Sequence, residues 1–295
     1  MARPALSAER SLDVLDILAA FPNRGFSLSE IARLAKINSA SCHAILNVLV
    51  SKGYLKRGSN GRSFLLGPAL VAIGRAALKS QPLVISAEPV VEELAQELGV
   101  PVLLNTLAGD DILCVLSHPA PSGRYAGMEV GERLPLVAPA GAPFMAWSTE
   151  EQIEQWIARA ALPHRAELAE GWRHMLALTR QRGFQVTLRM NDGTTISAMM
   201  SEMASRRGTI NYKDEVARYV NSLDGHFIQP ETIEPERAYE IVVIASPLFD
   251  QKGTVAYNLC LTGFPDQLSG ATILNYADRL VGACVRIMRD NRAKA

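Results

Sequence analysis

Apolar positions in the first fifty residues fall into three helical stripes. Leu12, Val14, Leu15, Leu18 and Ala19 give an inward face to a helix beginning near Ser7, and Pro22-Asn23-Arg24-Gly25 ends it with turn chemistry. Ser27-Leu28-Ser29-Glu30 reads as a capping box that opens a short helix over about 28–36. The Ser27 hydroxyl can accept from the backbone three residues on, and Glu30 can reach back. Asn38 suits the N-cap of a third helix, in which Cys42, Ile45, Leu46 and Leu49 stand at i, i+3, i+4 and i+7. The other face of that helix carries Ala40, His43, Ala44, Asn47 and Ser51, and Gly53 closes it. Tyr54–Arg57 and Arg62–Leu66 flank Gly58-Ser59-Asn60-Gly61, which predicts a hairpin with basic residues at its base.

Beyond Gly67-Pro68 a helical stretch over 69–80 has Leu70, Ile73, Ala77 and Leu78 on one side, and Gln81-Pro82 marks a boundary. Residues 83–99 form a further helix with Val84, Val90, Val91, Leu94 and Leu98 apolar. The period then drops to about two. Residues 100–107 and 112–118 read as strands around Gly109-Asp110-Asp111, and Arg124 to Val130 as another strand. Helices are expected after Pro139, near 150–161 and 166–183, strands over 239–246 and 254–262, and a final helix over about 265–290. Strand pairs among helices describe a mixed α/β chain of the α+β kind.

Length separates the chain into more than one domain: 295 residues is about twice the usual single-domain size. The uncharged run Leu134–Thr149 contains Pro135, Pro139 and Pro143 and falls short of the roughly 20 apolar residues a spanning helix needs, so no membrane association is expected. The N-terminus lacks a basic-then-apolar leader, which argues against secretion. Cys42, Cys114, Cys260 and Cys284 are too scattered for metal or redox spacing, and a reducing cytoplasm with free thiols is the plain reading. A net charge of zero conceals an imbalance. Residues 1–80 hold eleven Lys/Arg against four acids, and the remainder nineteen against twenty-six, so the two parts carry +7 and −7. A basic small domain joined to a larger acidic one is the layout of a DNA reader with a sensor.

The chemistry follows from the order of elements. A capped short helix, a tight turn, an amphipathic helix and a basic hairpin together describe a winged helix-turn-helix; the bland alternative is a small helical domain whose polar face meets water. A helix fits the major groove with its N-terminal residues at base edges, and a basic wing can sit on phosphate. The candidate DNA-binding set is Ser27, Asn38, Ser39, Ala40, Ser41, His43, Ala44, Asn47, Lys56, Arg57 and Arg62. Asn47 either meets adenine through its amide or faces solvent. No nucleophile elbow, phosphate loop, dinucleotide glycine pattern or zinc motif is present, so neither an enzyme nor a cofactor or metal is expected.

Residues 7–80 resemble the DNA-binding half of the isocitrate lyase regulator (IclR) family of bacterial transcription factors. The resemblance rests on residues 11–18, Leu28-Ser29-Glu30-Ile31-Ala32, residues 41–49, Gly53-Tyr54-Leu55 and Leu66-Gly67-Pro68-Ala69-Leu70. His43 falls where the family usually has a histidine. Ala44 and Ser39 replace a common arginine and lysine, which implies less phosphate binding there. The resemblance continues through Gly131–Leu136, Ala140-Gly141-Ala142, Ala245–Asp250 and Leu259–Gly263.

It implies a winged helix-turn-helix over 1–67, a linker helix over 68–81 that helps pair subunits, and a GAF-like α+β effector-binding domain over 82–295. The effector-binding set it implies is Tyr125, Met128, Leu134, Ala140, Gly141, Ala142, Val243, Ala245, Cys260 and Thr262. Family effectors are often organic acids. Here Ala142 and Pro143 stand where the family has Gly-Lys, and Val243, Cys260 and Thr262 replace a cysteine and two hydroxyls, which favours a larger or more apolar ligand. The implied partners are a palindromic double-stranded DNA operator, a small metabolite, and further copies of the chain as a homodimer or dimer of dimers. The rival reading is a ligand-binding or protein-interaction module without sequence-specific DNA binding. An extra segment near 191–235 has Ile196, Met199, Met200 and Met203 at helical spacing, either an adaptable lid or a helical hairpin with its own core.

Overall fold

A computed structural model describes residues 5–122, 128–160, 165–188, 229–265 and 267–294. The expected turn at Asn191-Asp192-Gly193, the methionine stripe, Tyr125 and the Arg124–Gly127 part of a strand lie outside the described residues. The chain divides after Ser80 into two compact units.

In the first unit α1 (Leu6–Ala19), β1 (Phe26–Ser27), α2 (Leu28–Leu34), α3 (Ser39–Ser51), β2 (Leu55–Arg57) and β3 (Ser63–Leu66) enclose one core. Val14, Leu18, Phe26, Ile31, Cys42, Leu46, Leu55 and Phe64 are all buried in it. Leu12 and Ala19, expected inward, are exposed; the inward stripe of α1 runs through Val14 and Leu18, with Leu15 and Ile17 flanking it. Phe26–Ser27 pairs antiparallel with Ser63–Phe64, so the hairpin is the larger part of a three-stranded sheet ordered β1-β3-β2. Between α2 and α3, Lys36 takes φ +54, and the Ile37 N–H returns to the Ala32 carbonyl at 3.0 Å. Gly67 passes so close to the preceding turn that a Cβ there would lie 2.2 Å from the Gly53 carbonyl oxygen. That approach sets the direction of α4 (Ala69–Lys79), none of whose residues is buried.

The second unit is built on a six-stranded antiparallel sheet ordered β6-β5-β4-β10-β9-β7. Its strands are β4 (Val102–Ala108), β5 (Asp111–His118), β6 (Arg133–Pro135), β7 (Gln185–Leu188), β9 (Ile241–Phe249) and β10 (Val255–Leu261). Successive side chains of β4, β9 and β10 are buried on both sides, which requires helices on both faces. Helices α5 (Pro82–Leu98) and α9 (Gly270–Lys294) pack on each other and on β4, β5, β9 and β10. Helices α6 (Ala142–Met145), α7 (Glu150–Arg159) and α8 (Arg165–Arg182) form a second group, which meets β9, β10 and β7 through α6 and α8.

Two boundaries differ from expectation. Met128–Val130 is not a strand; the sixth sheet position is taken by Arg133–Pro135. The last helix starts at Gly270, not Pro265, because β11 (Leu268–Ser269) first pairs with β8 (Ala238–Tyr239). No described helix is long and apolar enough to cross a membrane.

Candidate nucleic-acid interface and effector site

The sequence fixes α2 and α3 by capping. The Ser27 N–H donates to Glu30 Oε2 at 2.8 Å, and the Glu30 N–H donates back to Ser27 Oγ at 3.3 Å. These bonds, the backbone one foremost, hold the Glu30 carboxyl below its ordinary pKa. Ser27 is therefore half-buried with its hydroxyl committed to the cap. At α3, Asn38 Oδ1 accepts from the Ser41 N–H at 2.8 Å.

Burying Cys42, Leu46 and Leu49 turns Ser39, Ala40, His43, Ala44 and Asn47 outward, all exposed, with Ser41 half-buried. Asn47 Nδ2 lies 3.3 Å from His43 Nδ1, so the two polar side chains share one patch one helical turn apart. Lys56, Arg57 and Arg62 are exposed on the hairpin beside it. Arg57 lies over the Phe64 ring at 5.0 Å and donates to the Gly61 carbonyl at 3.2 Å. Asn60 Oδ1 accepts from the Arg62 and Ser63 N–H groups, both at 3.0 Å, which shapes the tip. The arrangement is a groove-sized helix with small polar groups facing out, next to three exposed cations on the hairpin, suited to phosphate as well as base edges.

In the second unit, Met128, Ala245 and Cys260 are buried in one apolar cluster with Leu103 and Cys114, and Leu134 and Val243 pack against it. Five of the ten expected effector residues are thus together. Ala140, Gly141 and Ala142 are not in the cluster; they form the turn into α6, which packs on β9 and β10. The turn is tight: Gly141 has φ +84, and a Cβ there would lie 2.3 Å from Leu136 Cδ1 and 3.2 Å from Ile112 Cδ1. The buried Trp156 indole donates to the Ala140 carbonyl at 2.9 Å and pins the turn from α7. Thr262 is half-buried past the end of β10, its N–H on the Pro101 carbonyl at 3.2 Å.

The sequence reading missed the polar floor of this cluster. Asn105 and Asn258 are buried and paired across β4 and β10. Asn105 Nδ2 donates to Asn258 Oδ1 at 2.9 Å and approaches Cys260 Sγ at 3.4 Å. Asn105 Oδ1 is buried with no partner among the described residues, and an acceptor left unsatisfied in an apolar setting costs about 1–3 kcal/mol. The signal was present, since each asparagine interrupts an apolar strand. Burial pushes the Cys114 thiol up to about 12, with the nearby Glu132 carboxylate adding to the rise, and raises Cys260 as well. Both are neutral thiols near pH 7, unsuited to nucleophilic work. Among the described residues no group of His, Cys, Asp and Glu could hold a metal ion.

Comparison with known proteins agrees with both halves. Residues 7–59 match the family model described as the IclR helix-turn-helix domain, and residues 75–194 match the one described as bacterial transcriptional regulator IclR C-terminal. A Pca regulon regulatory protein of Pseudomonas putida is 30% identical over 156 residues, covering 51% of this chain. The match spans 53% of that relative, about half its length. An IclR transcriptional regulator of Alicyclobacillus acidocaldarius has the same fold, with a TM-score of 0.69 at 18% identity over 97% of this chain and 99% of its own. So does an IclR homologue of Microbacterium hydrocarbonoxydans crystallised with 4-hydroxybenzoate, at 0.66 and 21% over 97% and 99%. With its two halves matched in order by the two models of one family, the chain belongs to the IclR family of bacterial transcriptional regulators.

Proposed function

We propose that this protein is a DNA-binding regulator of transcription, and not an enzyme, whose operator affinity is set by a small molecule held against the Leu103–Cys114–Cys260 cluster. The observation that carries it is the exposed His43–Asn47 patch of α3 standing beside the Lys56, Arg57 and Arg62 hairpin. In this reading α3 enters the major groove, and the hairpin cations neutralise phosphates. Residues 1–67 are the DNA reader, 68–81 the connecting helix and 82–295 the GAF-like sensor. Two subunits place their α3 helices about one DNA turn (~34 Å) apart, or a multiple of it, on a palindromic operator. A ligand that binds one subunit arrangement better than another then changes operator affinity by its difference in affinity for the two. The cytoplasm is the compartment such work requires.

The test is a gel shift on the DNA upstream of the protein's own gene, set against a scrambled duplex. Retention of the first at a salt concentration that releases the second supports the reading, and equal release at every salt concentration favours the interaction module. A metabolite-library thermal shift tests the sensor, since a ligand that binds only the folded state raises Tm by mass action.

Self-association has its own support. Helix α4 exposes Val71 and Ile73 at 64% and 48%, and an 11-residue helix with no buried residue is marginal in water. Covering that apolar side with the same helix of a second subunit stabilises both. Ile73→Lys is expected to lower the mass seen by light scattering from the oligomer to the monomer while far-ultraviolet dichroism of the remaining helices persists. An unchanged mass would remove α4 from the interface.

A further inference from the structure

We propose that Asn105 is the hydrogen-bonding anchor of the ligand site, and that the ligand is an apolar molecule bearing a hydroxyl group and not an anion. The proposal rests on the sensor reading above and adds to it the chemistry of the ligand.

Three observations carry it. Asn105 is 4% exposed, and its Oδ1 is a buried acceptor with no partner among the described residues. Its position is central: it pairs with Cys114 on β5 and with Asn258 on β10, and its amide reaches Cys260. It therefore sits between two members of the apolar cluster. Asn258 Oδ1 receives the Asn105 Nδ2 at 2.9 Å and the Cys260 thiol at 3.4 Å; with Asn258 so placed, turning Asn105 over by itself would set two carbonyl oxygens against each other. In this arrangement the free edge of Asn105 is an acceptor and calls for a donor. Buried polar groups are almost always satisfied; this orphan stands beside the apolar cluster, and we take it as the point where a ligand atom completes the set.

The charge of the ligand follows from what surrounds that atom. Among the described residues the cluster and its floor consist of Leu103, Cys114, Met128, Leu134, Val243, Ala245 and Cys260 with the two asparagines, and none of these is cationic. The charged side chain that acts on Cys114 is the Glu132 carboxylate. Arg159 and Arg180, on the helices of the same group, donate to the Leu136 and Ala146 carbonyls. Among these residues a carboxylate would find no cation, would face the Asn105 oxygen and the Glu132 carboxylate, and would exchange its hydration for amide and thiol donors at most. A hydroxyl gives the Asn105 oxygen its proton and leaves the rest of the molecule against Leu103, Met128 and Val243.

The experiment measures binding of phenol, anisole and benzoate to the full chain by calorimetry, alongside its gel shift. Phenol donates a proton, anisole has the ring and oxygen but no donor, and benzoate carries the charge. The expected result is that phenol binds about tenfold or more tightly than either of the others, since a site with a buried acceptor rejects an analogue without the donor. In Asn105→Leu the preference over anisole disappears. The comparison on the unaltered chain stands even where Asn105→Leu does not fold, and Asn105→Ser supplies a second variant, expected to narrow the gap. Equal or tighter binding of anisole or benzoate overturns the proposal, as does a preference that survives Asn105→Leu. A carboxylate hit in the metabolite library would overturn the anchor and leave the sensor intact, whereas a library without any stabilising compound would overturn the sensor reading itself.

Discussion

Replacing Lys56, Arg57 and Arg62 together with alanine will weaken binding to every duplex, specific or scrambled, and flatten its salt dependence. Each phosphate contact contributes about 0.9 to the slope of log K against log salt, so losing three makes the slope shallower by roughly 3. The three side chains are exposed and outside the core, and Arg57 alone has a packing role, over Phe64. The triple variant should therefore fold, and a melting curve within a few degrees of the parent checks that. In contrast, His43→Ala and Asn47→Ala act at the outer face of α3 and should narrow the gap between specific and scrambled DNA with the slope little changed. A triple variant with the parental slope would place the wing away from the duplex, and the regulator reading would then rest on α3 alone.

The second large effect is expected at Trp156. Its ring is 1% exposed and lies 6.3 Å from the Trp172 ring, and its indole N–H holds the Ala140 carbonyl. Trp156→Ala should cost about 3–5 kcal/mol through the cavity it leaves, enough to lower the Tm of the second unit by roughly 10 °C. Trp156→Phe separates packing from hydrogen bonding: it keeps most of the ring and strands the carbonyl, for about 1–3 kcal/mol. Since that carbonyl begins the Ala140-Gly141-Ala142 turn, the Phe variant should also bind ligands of the sensor less tightly. Calorimetry that finds the parental Tm and parental ligand affinity in Trp156→Phe would show that the indole bond does not hold the turn.

What could be read from the residues divides along physical lines. Caps were legible because their bonds are local: Ser27 with Glu30 and Asn38 with Ser41 are made within three residues. The hairpin was legible for the same reason, Asn60-Gly61 being turn chemistry between two apolar runs. Strand β1 was not, because Phe26–Ser27 becomes a strand only through pairing with Ser63 and Phe64, far along the chain. Strand β7 was overlooked because Gln185 and Thr187, polar by type, are buried against α8, where Gln185 Nε2 meets Met175 Sδ at 3.5 Å. Leu12 misled in the opposite sense, an apolar residue left at 61% exposure. The effector set shows both effects. The residues taken from the resemblance converged on the cluster at Met128, Leu134, Val243, Ala245 and Cys260, while Asn105 and Asn258, whose type suggests a surface, form its floor.

Every cysteine of the chain is inside it. Burial raises Cys42, and brings Cys114 and Cys284 up to about 12. An alkylating reagent, which needs a thiolate at the surface, can then advance only as fast as each neighbourhood opens. Cys42 times the breathing of the winged half, Cys114 and Cys260 that of the sheet around Asn105, and Cys284 that of the long terminal helix. The unaltered polypeptide thus carries four internal clocks, and mass spectrometry of its labelled peptides can tell which half loosens or tightens when DNA or a metabolite is added.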